Sequence, residues 1–564
     1  MLAFVMLMSV TASALVAVDT NVSEAVTLAE NYEDVIFAAY DEAGKLVAAT
    51  TDAAALPEDA KNVKIFATGE KEKEPVEVKE TGVGGFENKN ANPDDIWVVG
   101  LVGASTVQAG QYSSFLYQYY ATRYPNKNIV ILNKGSAGCT AWDIYKRLNW
   151  DIFNEDDPLG YGACDEIAIM VGANDLGYSG YTDGKMPEDQ YEVFYNGKNR
   201  YVNNPKKLGK LVPNMSVNIE DCFNTYKRIV KWCKDNNKRV TFTPMTLYDE
   251  SDAFESTLSY GVCYGSNHAL GVLSEKLKAY AKEEGIPFVD TWGLSNEYTE
   301  KIRKEYPEAT TVITGTDGLH HSSKGGYMVG YIIANQQEKD EIVASVEIDS
   351  QSKAVKTDGA TVSNLSASSS KISYTYLAEA LPLYAKAPGY EFAEGYGVDI
   401  TNTMNKEIIK ATGLEKGTYT IKMDGKKVAE FTADELAEGV NIATFENNPG
   451  QIQSKALYDN YYDRRKMQEA ELRSIFNEEL RLRNVNLSNH SVHYDDARYK
   501  TFTPQDWIDL CNQFVAEGFG TLNADTYPEK KLNQDKYVKE VKECIDGMLK
   551  DSKPVSHKVT IEKK

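Results

Sequence analysis

The sequence predicts an α/β fold built around a parallel sheet flanked by helices. Residues 95–337 alternate short apolar runs with amphipathic helical patterns, which is typical of parallel strands joined by crossover helices. Apolar residues make up 42% of the 564 and charged residues 26%, a composition that supports packed cores and excludes a mostly disordered chain. At about 150 residues per domain, the chain has room for roughly three to four domains.

Four segments follow one another along the chain. We expect a signal peptide over 1–18, a small β module and linker over 19–92, the α/β domain over 93–340, and a C-terminal β and helical extension over 341–564. Residues 1–18 are apolar with small residues at 12–14, as in a bacterial-type secretory signal, although no basic residue precedes Lys45. A transmembrane anchor is the alternative, but the run is short and holds three hydroxyl residues. We therefore expect a secreted or cell-surface protein with no stable membrane insertion after signal cleavage.

Charge and cysteine content narrow the partners. Acidic residues outnumber basic ones 83 to 61, which gives a net charge of −22 and makes nucleic acid and anionic membranes poor partners. Seven cysteines without a CxxC pair predict neither a disulfide framework nor a zinc site. We expect no metal and no cofactor.

The first segment after the signal peptide is predicted to be a β module. Val35–Tyr40 and Leu46–Ala49 flank Asp41–Gly44, which has the composition of a hairpin turn, and Val63–Phe66 gives a further strand.

Five strands are expected in the α/β domain. Ligands of such sheets bind where the loops after the strands converge, so any chemistry should lie at the carboxyl ends of these strands. The predicted strands are Ile96–Val102, Asn128–Leu132, Glu166–Val171, Arg239–Thr243 and Pro287–Val289.

The C-terminal extension begins with β structure and continues as helix. Tyr419–Met423 and Val428–Phe431 bracket Asp424-Gly425, a strong hairpin signal. Thr432 and Glu435 form a capping-box pattern that begins a helix. Residues 453–485 and 503–550 are predicted to be helical, and we expect the extension to buttress the sheet.

Four short polar blocks stand at the ends of predicted strands or late in the α/β domain. In order they are Gly103–Thr106, Asn133–Gly138, Gly172–Asp175 and Asp317–His320. Each block alone is a weak signal, but their order and spacing resemble those of the SGNH (GDSL-type) hydrolases, which are secreted esterases and lipases. The resemblance implies an SGNH-hydrolase-like, flavodoxin-like parallel sheet. Motifs such as Tyr119–Pro125 also resemble a secreted carbohydrate acetylesterase-like subgroup.

The resemblance also implies a role for each block. Ser105 is the expected nucleophile, His320 the base that takes its proton, and Asp317 the carboxylate that holds the imidazole. An ester carbonyl under attack becomes an oxyanion and needs preorganised donors. The resemblance assigns these donors to the backbone N–H groups of Ser105 and Gly138 and to the side-chain amide of Asn174.

Three neighbouring residues leave alternatives open. The family usually has Asp where this chain has Ala104, so the support of the nucleophile turn differs here. His321 competes with His320 for the role of base, but the Asp-x-x-His spacing selects His320 and leaves His321 as an expected rim residue. Cys139 is expected to be a packing residue.

The polar, tyrosine-rich segment from Asp175 to Pro213 is expected to shape the substrate cleft. Its tyrosines, including the candidate substrate-binding residues Tyr178 and Tyr181, suit contact with sugar rings. A long acyl chain would need an apolar lid, so we expect a short acyl group such as acetyl on an acetylated plant cell-wall polysaccharide or oligosaccharide. The alternatives are a non-catalytic glycan-binding protein on the same fold and a GDSL-type lipase or phospholipase.

Overall fold

The structure is a computed structural model that describes most of the chain. It covers residues 16–20, 32–40, 46–51, 62–70, 85–176, 180–181, 211–212, 215–251, 253, 257, 265–337, 342–487, 497–518 and 524–564. The chain divides into two compact units, Met1–Pro75 and Val76–Lys564. Most of the predicted signal peptide lies outside the described residues, so the signal remains a prediction.

The first unit contains an antiparallel sheet. Its strands are β1 (Val16–Thr20), β2 (Tyr32–Tyr40), β3 (Leu46–Thr50) and β4 (Asn62–Glu70), in the order β1-β4-β2-β3. The three predicted strands are therefore confirmed, whereas the predicted turn Asp41–Gly44 lies outside the described residues.

The second unit is built around a parallel sheet, as predicted. Its strands are β5 (Trp97–Gly103), β6 (Ile129–Gly135), β7 (Glu166–Met170) and β10 (Arg239–Phe242), in the order β10-β7-β5-β6. The short strands β8 (Gly180–Tyr181) and β9 (Leu211–Val212) pair with each other between β7 and β10 in the chain. Every residue of β5, β6 and β7 is buried, because helices cover both faces of such a sheet.

The predicted strand Pro287–Val289 is wrong in extent. Only a single parallel bridge joins Phe288 to Phe242 at the end of β10. The chain cannot extend this pairing, because the Asp290 side chain accepts a hydrogen bond from the Gly293 N–H and begins a helix there.

Helices surround the sheet and connect its strands. In chain order they are α1 (Ser105–Gln108), α2 (Gln111–Arg123), α3 (Ala141–Lys146), a π-helix (Leu148–Ile152), α4 (Met215–Asp235), α5 (Ser266–Glu284), α6 (Thr291–Glu305) and α7 (Ser323–Gln337). The first three begin just after the ends of β5 and β6, where the polar blocks of the sequence stand.

The C-terminal extension forms two further sheets. Their strands are β11 (Ile342–Asp349), β12 (Val355–Asp358), β13 (Ala360–Ser368), β14 (Lys371–Ala378), β15 (Lys406–Thr412), β16 (Thr418–Met423), β17 (Lys426–Thr432), β18 (Val440–Asn441) and β19 (His557–Lys563). The orders are β12-β11-β15-β18 and β13-β14-β19-β16-β17. The predicted hairpin is confirmed, with φ of 49° at Asp424 and 81° at Gly425, and Thr432 and Glu435 form the predicted capping box.

Helices complete the extension. They are α8 (Pro388–Gly395), α9 (Ile400–Met404), α10 (Ala433–Glu438), α11 (Pro449–Leu457), a π-helix (Tyr458–Tyr462), α12 (Asp463–Leu487), a 3₁₀ helix (Ala497–Thr501), α13 (Pro504–Ala516), α14 (Tyr527–Leu532) and α15 (Gln534–Asp551). Leu472 of α12 and Ile545 of α15 belong to the same buried core as the parallel sheet. Part of the extension is thus packed directly on that sheet.

Helix α12 lies along β6, the outer strand of the parallel sheet. An outer strand presents unpaired backbone groups, and side chains of α12 satisfy several of them here. The contacts join Arg465 to the Ile131 carbonyl, Glu469 to the Asn133 N–H, and Arg473 to the Gly135 carbonyl. The helix therefore covers the edge of the sheet with buried charged groups.

Gly135, at the end of β6, allows a backbone contact that no other residue permits. A Cβ at this position would lie 2.2 Å from the Gln108 N atom of α1. We expect Gly135→Ala to lower the free energy of unfolding by about 1–3 kcal/mol, measured by urea denaturation. Gly395→Ala is the matched control because no atom lies within 4 Å of its added Cβ. Equal stability of the two variants would contradict this packing.

Candidate active site

The first polar block turns from strand β5 into helix α1. Gly103 ends the strand, Ala104 is the N-cap residue, and Ser105 is the first residue of the helix. No Cβ fits at Gly103, because it would lie 2.2 Å from the Met170 carbonyl oxygen of β7. Within the described chain the Ser105 N–H donates no hydrogen bond, as expected at a helix N-terminus.

A chain of hydrogen bonds joins Ser105 to the last polar block. The Ser105 Oγ lies 2.7 Å from His320 Nε2, and His320 Nδ1 lies 2.6 Å from Asp317 Oδ2. The other carboxylate oxygen, Oδ1, accepts hydrogen bonds from the backbone N–H groups of Leu319 and His320, each at 2.9 Å. The carboxylate is therefore fixed on both oxygens and directs one of them at the imidazole.

Asp317 remains ionised in this setting. Burial raises its pKa, but the hydrogen bond from the His320 ring and those from the backbone N–H groups outweigh burial and lower the pKa below its ordinary value. A carboxylate only accepts hydrogen bonds, so Nδ1 of His320 must carry the proton. This leaves Nε2 as the acceptor for the Ser105 hydroxyl.

The second and third blocks meet beside Ser105. The Asn174 side-chain amide donates to the Cys139 carbonyl at 2.7 Å, and the Cys139 N–H donates to the Ser136 carbonyl at 3.1 Å. Gly138 sits in that turn with a φ of 78°, a conformation that favours glycine. Its N–H donates no hydrogen bond to any part of the chain that the structure describes.

Asp175 has a holding role that sequence reasoning missed. Both of its carboxylate oxygens accept from the Ala141 N–H, at 3.0 and 3.2 Å, at the beginning of helix α3. Burial raises the pKa of this carboxyl to about 7. Together with Asn174, it clamps both ends of the segment from Cys139 to Ala141. Its position beside Asn174, in the same block, was the signal that could have indicated this role.

Asp151 binds two arginines that also contact the ends of β5 and β6. Arg473 donates to both Asp151 oxygens at 2.7 Å, and Arg147 donates to one of them at 2.5 Å. Arg147 also donates to the Lys134 carbonyl at 2.7 Å and to the Gly103 carbonyl at 3.3 Å. Burial raises the pKa of Asp151, but the Arg473 charge, with that of Arg147, lowers it well below its ordinary value.

His321 is not a rim residue, and that expectation was wrong. Its side chain is only 7% exposed, its Nε2 lies 2.8 Å from the Thr246 Oγ1, and Tyr112 meets its ring edge-on. Burial lowers the pKa of His321 to about 3. The residue that follows His320 therefore points into the core, where it stays neutral.

The remaining candidates are settled in part. Cys139 is buried, as expected of a packing residue, and burial raises the pKa of its thiol. Tyr178 lies outside the described residues, and only the backbone of Tyr181 is described, so their substrate-binding role remains a prediction. The described residues contain no cluster of metal-ligating side chains, and none of their helices is long and apolar enough to cross a membrane.

The burial of neutral His321 predicts a pH-dependent stability. Below pH 6.5 the unfolded chain binds a proton at this residue, but the folded protein does so only near pH 3. The free energy of unfolding should therefore fall on acidification, by up to about 1.4 kcal/mol per pH unit from this residue.

Urea denaturation between pH 4 and 7 tests this. His321→Gln should show a shallower loss of stability with acid than the wild type. Thr246→Val is the control, since it removes the hydrogen-bond partner but leaves the imidazole buried and should keep the wild-type slope. An unchanged slope in His321→Gln would contradict the burial of a neutral ring.

Comparison with solved structures shows a shared fold. The chain is similar to a gut microbial diltiazem-metabolizing enzyme, with 22% identity, a TM-score of 0.64, and coverage of 85% of this chain and 100% of that chain. It also matches Axe2, an acetylxylan esterase from Geobacillus stearothermophilus, with 16% identity, a TM-score of 0.29, and coverage of 46% of this chain and 98% of that chain. None of the curated proteins matches the chain.

A family comparison covers the segment that carries the four blocks. Residues 99–331 match the family described as GDSL-like Lipase/Acylhydrolase. This range begins inside β5, ends inside α7, and includes Ser105, Asn174 and His320. This segment of the chain therefore belongs to the GDSL-like lipase/acylhydrolase family of hydrolases.

Proposed function

We propose that the protein is a secreted serine esterase that removes short acyl groups, most simply acetyl, from plant cell-wall polysaccharide. The observation that carries the proposal is the unbroken hydrogen-bond chain from Ser105 through His320 to Asp317, at the carboxyl end of the parallel sheet. The match of residues 99–331 to an acylhydrolase family supports the reaction class.

The first half of the reaction forms an acyl-enzyme. His320 Nε2 takes the Ser105 proton as the Oγ attacks the ester carbonyl carbon, and Asp317 stabilises the imidazolium that forms. When the tetrahedral intermediate collapses, the bond from the carbonyl carbon to the sugar oxygen breaks. His320 gives its proton to that oxygen, which leaves as a sugar hydroxyl.

The second half repeats the same steps with water. His320 accepts a proton from a water molecule that attacks the acyl group on Ser105, and the proton then returns to the Ser105 Oγ. A carboxylic acid, acetic acid for an acetyl ester, leaves the enzyme. No cofactor or metal enters this scheme.

The oxyanion of both intermediates needs donors that are already in place. We assign them to the N–H groups of Ser105 and Gly138 and to the Asn174 amide. The two N–H groups have no acceptor in the described chain, and the Asn174 amide lies at the same loop, on the Cys139 carbonyl. Removing one such donor typically costs about 10²–10³-fold in kcat.

The substrate class rests on the sequence around the site. The segment from Asp175 to Pro213 is polar and rich in tyrosine, including Tyr178 and Tyr181, which favours a short acyl group on a sugar over a long lipid chain. Secretion rests on the apolar residues 1–18. A polysaccharide of the cell wall is a substrate that a secreted enzyme would meet.

The assignment of roles predicts a contrast between neighbouring histidines. Ser105→Ala and His320→Ala should each lower kcat/KM for p-nitrophenyl acetate by at least about 10³-fold, and Asp317→Asn by a comparable factor, because the tautomer of His320 is then mis-set. His321→Gln should keep most of the activity, since its ring faces Thr246. Thermal unfolding of each variant controls for misfolding. If His321 were essential and His320 dispensable, the assignment of the base would be wrong.

The substrate class predicts a pattern of products. Acetylated xylan and acetylated pectin should release acetate in the presence of the wild type and not of Ser105→Ala. Among p-nitrophenyl esters, kcat/KM should be highest for acetate and fall steadily with chain length. A preference for long chains would instead indicate a lipase or phospholipase. Glycan binding without Ser105-dependent turnover would indicate a non-catalytic binding protein.

A further inference from the structure

One side of helix α12 faces the loop that carries Gly138. Arg473, Asn477 and Leu480 are spaced by four and three residues, so they share that side. The Arg473 Nε donates to the Gly135 carbonyl at 2.8 Å, and the Ser136 hydroxyl donates to the Asn477 Oδ1 at 2.7 Å. All three side chains of the helix are at least nine-tenths buried.

The third residue of this face closes the contact. Leu480 packs with Cys139 in a small apolar cluster, and Ala104 packs against that cluster. Ala104 precedes the nucleophile, and Cys139 follows Gly138. The helix therefore contacts both turns of the candidate site, and the small side chain at position 104 leaves room for it.

The residues that α12 holds are the ones that position the loop. The Ser136 N–H donates to the Gly103 carbonyl at 3.0 Å, which links this loop to the end of β5. The Ser136 carbonyl accepts from the Cys139 N–H at 3.1 Å, which closes the turn around Gly138. Where Ser136 lies thus determines where the Gly138 N–H lies.

We propose that Asn477 and Arg473 are positioning residues for the oxyanion-binding loop, an inference that rests on the proposed esterase function. An oxyanion donor contributes fully only when it is fixed before the reaction begins, and displacements of about 1 Å can cost 10²-fold in rate. Asn477 fixes Ser136 through its hydroxyl, and Arg473 fixes the preceding residue through its carbonyl. The C-terminal extension thereby takes part in the reaction without touching the substrate.

The hydrogen bond between Asn477 and Ser136 offers the cleanest test. Arg473 also binds Asp151, so its removal leaves a buried carboxylate short of a partner and endangers the fold. Asn477→Ala and Ser136→Ala each remove one neutral partner. Ser474→Ala is the matched control, because Ser474 lies on the same helix and donates to the Glu471 carbonyl instead of the loop.

The experiment measures kcat and KM for p-nitrophenyl acetate and the thermal unfolding of the wild type, the three single variants, and the Asn477→Ala/Ser136→Ala double variant. We expect Asn477→Ala and Ser136→Ala each to lower kcat by about 10–100-fold, with KM changed less than about threefold. The double variant should be no more than about twofold slower than the slower single variant, because both changes break one hydrogen bond. Ser474→Ala should keep the wild-type kcat.

Two outcomes would overturn the inference, and they are distinguishable. If wild-type turnover depends on Ser105 but Asn477→Ala loses only thermal stability and keeps its kcat, the helix is a structural support alone. If the wild type shows no turnover beyond that of Ser105→Ala, the proposed function fails and this inference fails with it.

Discussion

The buried carboxylate of Asp151 is the interaction on which the candidate site depends. Through Arg147 and Arg473 it joins the ends of β5 and β6 to helix α12, so one charged group fixes the strands that precede both Ser105 and Gly138. Burying such charges is costly unless each is paired, and removing one partner of a buried pair typically costs about 3–5 kcal/mol. The C-terminal extension is therefore part of the architecture of the site.

The sequence was informative where contacts are local or follow from sheet geometry. The alternating pattern predicted the parallel sheet, and the carboxyl ends of parallel strands converge, which predicted that the polar blocks would meet. The spacing of Asp317 and His320 places the two side chains together within one turn of chain. Neither prediction needed a partner from elsewhere in the sequence.

Sequence reasoning failed where a partner lies far along the chain. The charged side of α12 is typical of a solvent-exposed face, yet Arg465, Glu469 and Arg473 are buried because β6 supplies their partners more than 300 residues away. His321 was misplaced for the same reason, since Thr246 receives it in the core. The spacing of four between the α12 residues was the signal that could have indicated a single functional side.

The central claim is that Ser105 is a nucleophile activated by His320. Incubation with diisopropyl fluorophosphate, followed by intact-mass and peptide mass spectrometry, tests it directly, because attack by an activated serine forms an oxygen–phosphorus bond and releases fluoride. The account predicts one diisopropylphosphoryl group per chain, on the peptide that contains Ser105, and strongly slowed labelling in His320→Ala. Labelling of a different serine, or none in the folded wild type, would contradict it.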